Sequence, residues 1–127
     1  GDFIAMIQDA SSNPAIDIEI KNRKVHPILK RFTTEGELIK VGAVFPENPG
    51  ILIWSAKECL FKMMDSEGVL FKDHLLLEKI VLQGSSFRAE WKIIHPKLQV
   101  SVFTKSFIFD ELLISYVDHQ IKISDEV

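Results

Sequence analysis

Four histidines occur in two repeated settings, and histidine is the side chain best suited to proton transfer and metal binding near neutral pH. His26 and His95 each precede a proline inside an apolar run, whereas His74 and His119 each follow an aspartate. A zinc or iron site needs two or three such ligands at one point, and none of the four has a second histidine within a helical turn. A residue before proline is usually extended, and adjacent Asp and His side chains rarely face each other. The sequence therefore predicts structural histidines and no metal site.

The other candidate nucleophiles and the usual site motifs offer little chemistry. Cys59 is the only cysteine, which excludes an internal disulfide and a cysteine-based zinc site. Its place inside an expected helix favours a packing role, and a turn accounts for Ser85 and Ser86. The chain has no Gly-rich phosphate loop, GxGxxG, HExxH, EF-hand loop or GxSxG motif. The sequence by itself therefore indicates no family, no catalytic residue, no metal and no cofactor.

One carboxylate, Glu78, is harder to explain as a surface residue. If Gly84 and Ser85 form a two-residue hairpin turn, Lys79 pairs with Glu90 on the solvent face, and Glu78 falls on the apolar face opposite Trp91. Burial there would raise the pKa of Glu78, as is typical of an anchoring group or a general acid in a cavity. A bulge, or a position near the end of the sheet, would instead return Glu78 to solvent.

The predicted ligand-binding residues are accordingly Glu78, Trp91 and His95, with His95 as the histidine that assists the carboxylate. Convergence of two titratable groups in one pocket separates an enzyme from a binding protein. If Glu78 is the only titratable group in the pocket, the enzyme hypothesis is not supported, and Glu78 would only anchor a ligand.

Two elements are expected before residue 25. Apolar residues at helical spacing predict a short N-terminal helix over residues 2–10. Strict alternation over residues 15–21 predicts a half-buried strand, with the isoleucines toward the core and Asp17 and Glu19 toward solvent.

The middle of the chain is expected to contain two extended segments and one helix. Residues 25–32 should be extended, with Pro27 at a sheet edge, and residues 38–45 read as another strand. Ser55 and Glu58 spell a capping box, which predicts a helix that starts at Ser55 and stops near Gly68.

The second half predicts an antiparallel meander followed by a helix. Two apolar runs flank Gly84 and Ser85, and residues 87–93 alternate between inward apolar and outward charged side chains. A third strand follows over residues 98–105, and residues 109–121 show the spacing of an amphipathic helix. The expected fold is α+β: a single curved antiparallel sheet packed by a short N-terminal helix, a middle helix and a longer C-terminal helix.

Length and composition limit the remaining possibilities. The 127 residues suit a single domain, 1–127, with 46% hydrophobic and 26% charged residues. The net charge of −3 argues against nucleic-acid binding, although residues 21–31 carry five basic side chains that could meet an anionic surface. No apolar stretch reaches the ~18 residues that span a membrane. The lone cysteine favours a reducing compartment, so we expect a cytoplasmic location.

These observations favour a non-catalytic binding module over an enzyme. Its partner is expected to be an apolar small molecule in a cavity or a protein on an exposed apolar surface, and a homodimer is a further expectation. The alternative is a small cavity enzyme in which a desolvated carboxylate acts as general acid or base.

Overall fold

The computed structural model describes residues 15–64, 68–96 and 98–122, without the side chains of 119–122. Within these ranges, a 3₁₀ turn, four α-helices and five strands follow one another. They are β1 (Ile16–Ile20), the 3₁₀ turn (His26–Ile28), α1 (Leu29–Phe32), α2 (Glu35–Gly42), α3 (Pro49–Met64), α4 (Phe71–His74), β2 (Leu75–Gln83), β3 (Ser86–His95), β4 (Leu98–Phe109) and β5 (Leu112–Lys122).

The five strands form one open antiparallel sheet in the order β1-β5-β4-β3-β2. The α+β class and the single antiparallel sheet are therefore confirmed. Helix α3 lies across the inner face and contacts β1, β4 and β5. Trp91, Val102 and Leu113 from the sheet and Ile53 and Leu60 from α3 are fully buried in one core, and each contributes roughly 1.5–3 kcal/mol by leaving water. None of the helices in the described ranges is long and apolar enough to cross a lipid bilayer.

The β2–β3–β4 meander matches the sequence prediction. Gly84 adopts φ +61° in the turn, a left-handed conformation that favours glycine. Lys79 lies opposite Glu90 as expected, and Trp91 points into the core.

The predicted position of Glu78 on the apolar face is wrong because the strand has a β-bulge there. The register shifts between Leu77 and Lys79, so that Leu77 takes the place opposite Trp91. The bulge leaves Glu78 exposed and unpaired in the ladder.

The predicted C-terminal helix is also wrong, since residues 112–122 form strand β5. Asp110, with φ +56°, makes a tight turn that brings Phe109 opposite Leu112. The segment then pairs with β4 on one side and β1 on the other. These two ladders override the helical spacing, because a run of leucine, isoleucine, tyrosine and valine also suits a strand.

The middle of the chain differs from the prediction at three places. Residues 26–32 are helical rather than extended, with Pro27 in the first positions of the 3₁₀ turn, where proline is tolerated. Residues 38–45 are not a strand, because a capping box between Thr34 and Glu37 starts α2. Helix α3 begins at Pro49 instead of Ser55. The predicted helix over residues 2–10 lies outside the described residues.

Candidate active site

Strand β1 places two carboxylates on the inner face of the sheet, opposite to the expected orientation. Asp17 is only 6% exposed, whereas Ile18 and Ile20 are 44% and 61% exposed on the outer face. Across the β1–β5 ladder, Ile18 lies opposite Ile114 and Asp17 lies opposite Ser115. The outer face of β5 is itself apolar, so the isoleucines find cross-strand partners there, and Asp17 and Glu19 turn toward α3.

Helix α3 brings a carboxylate and a cation to the same place. Glu58 and Lys62 are four residues apart and therefore share one side of the helix. The Lys62 ammonium donates to the Ile16 carbonyl at 2.9 Å and lies 3.3 Å from Asp17 Oδ1. Lys62 remains partly exposed, so this end of the cluster faces solvent.

Burial and mutual repulsion dominate the electrostatics of the cluster. Burial, together with the nearby Glu19 carboxyl, raises the pKa of Asp17 to about 7, although Ser55 and Lys62 partly oppose the shift. Burial also raises the pKa of Glu58, and Lys62 opposes that shift. Carboxyl groups this close ionise together only when a cation compensates their charge.

One carboxylate oxygen of Asp17 is buried without a hydrogen-bond donor from the described part of the chain. Its Oδ2 atom is buried and accepts no hydrogen bond from the described residues. A buried, unsatisfied oxygen in a native structure needs an explanation, and a bound ion or water is one of the usual ones. We use the name acidic cluster for Asp17, Glu19, Glu58 and Lys62.

An ion pair and an aromatic side chain border the acidic cluster. Arg23 Nη1 donates to Glu19 Oε1 at 2.7 Å, and the Arg23 guanidinium lies 5.8 Å from the ring centre of Trp54. Trp54 precedes Glu58 by one helical turn, and its ring packs against Phe71. The rim therefore offers a cation and an aromatic face beside the carboxylates.

The donor set fits a magnesium ion better than a metal held by protein ligands alone. Among residues 15–64, 68–96 and 98–118, no three His, Cys, Asp or Glu side chains form a metal-binding group. Magnesium usually binds one or two carboxylates together with waters and substrate phosphates. The orphaned Asp17 Oδ2 and the neighbouring Glu58 supply such carboxylates, and Lys62 supplies a point charge for a phosphate.

A second lysine of α3 has a different environment. The Lys57 ammonium is fully buried and donates to Phe32 O at 2.7 Å, Glu37 Oε1 at 2.9 Å and Phe71 O at 2.9 Å. Glu37 also accepts from Thr33 Oγ1. We call this group the buried hub; it ties α1, α2 and α4 to α3 and leaves no donor of Lys57 for a substrate.

A basic cleft lies beside the buried hub. It has a volume of about 790 Å³ and contains four cationic or titratable basic side chains above apolar residues. The basic side chains are His26, Lys30, Arg31 and Lys72, the apolar residues are Pro27, Leu29 and Leu38, and Glu35 is the one acidic residue among those that line the cleft. The volume lies in the range of small-molecule sites, and the charge suits an anion.

The structure does not bring the predicted ligand-binding residues together. Glu78 is exposed at its bulge, with its carbonyl accepting from Lys40. The buried Trp91 donates to Thr104 Oγ1 at 2.8 Å. His95 is buried with its ring centre 4.9 Å from that of His74. Their role in ligand binding stays a prediction.

Among the other candidates, His26, His74 and Cys59 have structural surroundings or lie away from the acidic cluster. His26 is exposed at the rim of the basic cleft, and the side chain of His119 lies outside the described residues. His74 Nδ1 accepts from the Leu70 amide. Cys59 is buried, and burial raises the pKa of its thiol far above the usual value, as expected for a packing role.

Comparison with known proteins gives the class and then the family. The acidic cluster combines carboxylates with a lysine, which are the side chains that binding a phosphorylated substrate together with a cation would require. The model of the 4'-phosphopantetheinyl transferase superfamily matches residues 14–117. The chain therefore belongs to this superfamily. No curated protein sequence matches the chain at a significant level.

The family corrects the functional prediction. A transferase superfamily that covers most of the chain shows that the expected non-catalytic binding module, and the preference against an enzyme, are wrong. Glu78 is exposed at its bulge and is therefore not the desolvated carboxylate that the cavity-enzyme alternative required. Two sequence signals could have indicated the acidic cluster: the charged pair Asp17 and Glu19 within the isoleucine strand, and the spacing of Glu58 and Lys62 on one helix.

Proposed function

We propose that this protein transfers the 4'-phosphopantetheinyl group of coenzyme A to a carrier protein, at the acidic cluster. The observation that carries the proposal is the family match over residues 14–117. Coenzyme A supplies the group as one half of a diphosphate. A hydroxyl oxygen of the carrier protein forms the new bond to phosphorus, the bridging P–O bond breaks, adenosine 3',5'-bisphosphate leaves and the hydroxyl proton passes to a base.

The acidic cluster has the charge distribution that this reaction needs. Asp17 and Glu58 would hold a magnesium ion, which when bound neutralises charge on the diphosphate. Lys62 would bind a phosphoryl oxygen from the side of α3. Its partly exposed side chain leaves room for a second macromolecule to approach.

The basic cleft supports binding of the adenosine and phosphate part of coenzyme A. Lys30, Arg31 and Lys72 would meet the negative phosphates, while Leu29 and Leu38 offer an apolar surface. We also propose a cytoplasmic location, where coenzyme A would be available as the donor. With coenzyme A as the ligand, the expected apolar small molecule is not needed.

Mass spectrometry of the carrier protein is the direct test. After incubation with coenzyme A, Mg²⁺ and this protein, we expect the carrier to gain the mass of one phosphopantetheinyl group, with release of adenosine 3',5'-bisphosphate. A carrier variant that lacks the acceptor hydroxyl is the matched control and should gain nothing. Unmodified carrier and intact coenzyme A, across several carrier proteins, would contradict the proposal.

A further inference from the structure

A row of polar side chains crosses the inner face of the sheet behind Asp17. In the β1–β5 ladder Asp17 lies directly opposite Ser115, and in the β4–β5 ladder Ser115 lies directly opposite Ser106. Directly opposed residues on one face have Cβ atoms about 4.5–5.5 Å apart. Both serines are buried, although Leu113, next to Ser115 on the same face, and Phe87, opposite Ser106, are apolar.

Helix α3 adds a third serine above this row. Ser55 Oγ donates to Ser115 Oγ at 2.8 Å, and the hydroxyls of Ser115 and Ser106 are 2.7 Å apart. One turn further along α3, the Cys59 thiol donates to the Ser115 carbonyl at 3.1 Å. The three hydroxyls are therefore fixed to one another across three elements.

Ser55 has one hydroxyl proton but two possible acceptors for it. It donates this proton to Ser115 Oγ, and the same hydroxyl lowers the pKa of the Asp17 carboxyl as a hydrogen-bond donor would. Either Ser115 or Ser106 can donate in the bond between them. If Ser55 turns its proton to Asp17 instead, Ser115 can donate to Ser55 and Ser106 can donate to Ser115, so that each serine oxygen keeps a hydrogen bond.

We propose that Ser55, Ser115 and Ser106 are positioning residues for Asp17: a buried hydroxyl chain that fixes the carboxylate for the cation of the donor diphosphate. This inference rests on the proposed function, because it assumes that Asp17 binds a cation. Groups that hold a metal-binding side chain from behind typically change metal affinity about 10- to 100-fold when they are removed.

Two substitutions of nearly equal shape isolate the hydroxyl of Ser115. Ser115→Thr keeps the hydroxyl and Ser115→Val replaces it with a methyl group, so both impose the same steric load on the core. Electron paramagnetic resonance with Mn²⁺ as the probe gives the metal affinity without any catalytic turnover. We expect Ser115→Val to bind Mn²⁺ at least about tenfold more weakly than Ser115→Thr.

A matched control separates positioning from general damage. Thr104 is also a buried hydroxyl residue on β4, and it accepts a hydrogen bond from Trp91, but it lies outside the serine chain. Thr104→Val should lower the melting temperature and leave the Mn²⁺ affinity unchanged. If the Ser115 variants do not fold, Ser106→Thr and Ser106→Val make the same comparison one hydroxyl further from Asp17.

The outcomes distinguish the inference from the function on which it rests. Weaker Mn²⁺ binding in the valine variant, with Thr104→Val unaffected, supports the hydroxyl chain. Equal affinities of the threonine and valine variants, with wild type binding Mn²⁺, overturn the positioning role alone. Absence of Mn²⁺ binding by wild type overturns the cation site and the positioning role together.

Discussion

Two lysines on one helix have opposite environments. Lys57 is buried, and three oxygens accept from its ammonium group. Lys62, five residues later, is partly exposed beside a carboxylate whose second oxygen has no partner among the described residues. The buried hub satisfies every charge that it contains, whereas the acidic cluster leaves charge and an oxygen unsatisfied. Complete satisfaction indicates a structural role, and incomplete satisfaction indicates a ligand.

The largest expected effect is a loss of transfer rate when a carboxylate of the acidic cluster, rather than one elsewhere on the surface, is replaced. Asp17→Asn and Glu58→Gln should each lower the transfer rate about 100-fold or more, because a bound cation supplies several kcal/mol of charge stabilisation. The measurement is the initial rate of carrier modification. The exposed Glu47 gives a control, since Glu47→Gln should keep the wild-type rate. Full activity in both cluster variants would remove these carboxylates from the reaction.

Substitution of Lys57 should mainly lower stability, whereas substitution of Lys62 should mainly lower activity. Lys57→Met leaves Glu37 buried without its cation and should lower the free energy of unfolding by about 3–5 kcal/mol. Lys62→Met should cost at most about 1 kcal/mol but lower the transfer rate at least about tenfold. Urea unfolding and initial rates measure the two quantities. Similar losses of stability in both variants would contradict the distinction between hub and cluster.

The acidic cluster should also dominate the pH dependence of stability when divalent cations are removed. Because burial raises the pKa of Asp17 from 3.8 to about 7, the folded protein binds more protons than the unfolded chain between these values. The free energy of unfolding should therefore fall as the pH rises through this window, by at most about 1.4 kcal/mol per pH unit. Asp17→Asn should flatten the slope in urea melts, and an unchanged slope would place the titration elsewhere.

The smallest effect is expected at the basic cleft, which borders the hub through Thr33. Reversing two charges with Lys30→Glu and Arg31→Glu should raise the KM for coenzyme A roughly tenfold, with kcat little changed. Lys92→Glu, on the outer face of β3, is the control and should leave the KM unchanged. The KM difference should shrink in high salt; equal KM values at low salt would exclude the cleft as a coenzyme A site.

The sequence predicts the meander well and the other elements less well, for physical reasons. Apolar residues on both sides of the Gly84 turn predict β2 and β3, because the turn residues and the alternation of apolar and charged side chains both indicate a hairpin there. Strand β5 has the spacing of a helix, and only its two neighbouring strands decide its conformation. The capping box between Thr34 and Glu37 starts α2, but residues 38–45 also have the composition of a strand, which was the structure predicted for them.

The site was missed because alternation does not say which face of a strand meets the helices. The isoleucines of β1 lie opposite apolar residues on the outer face of β5, which frees Asp17 to face α3. That arrangement depends on a partner strand whose own prediction was wrong. The exposed Ile18 and Ile20 are compatible with the expected homodimer, which stays a prediction, as does the single-domain organisation.

Calorimetric titration of coenzyme A, with and without Mg²⁺, tests the central claim most directly, because it asks whether the acidic cluster joins a cation to the donor diphosphate. Wild type should bind coenzyme A at least about tenfold more tightly with Mg²⁺, and Asp17→Asn should lose this gain while keeping its affinity in the absence of Mg²⁺. Binding that ignores Mg²⁺ in wild type, or a gain that survives in Asp17→Asn, would contradict the account.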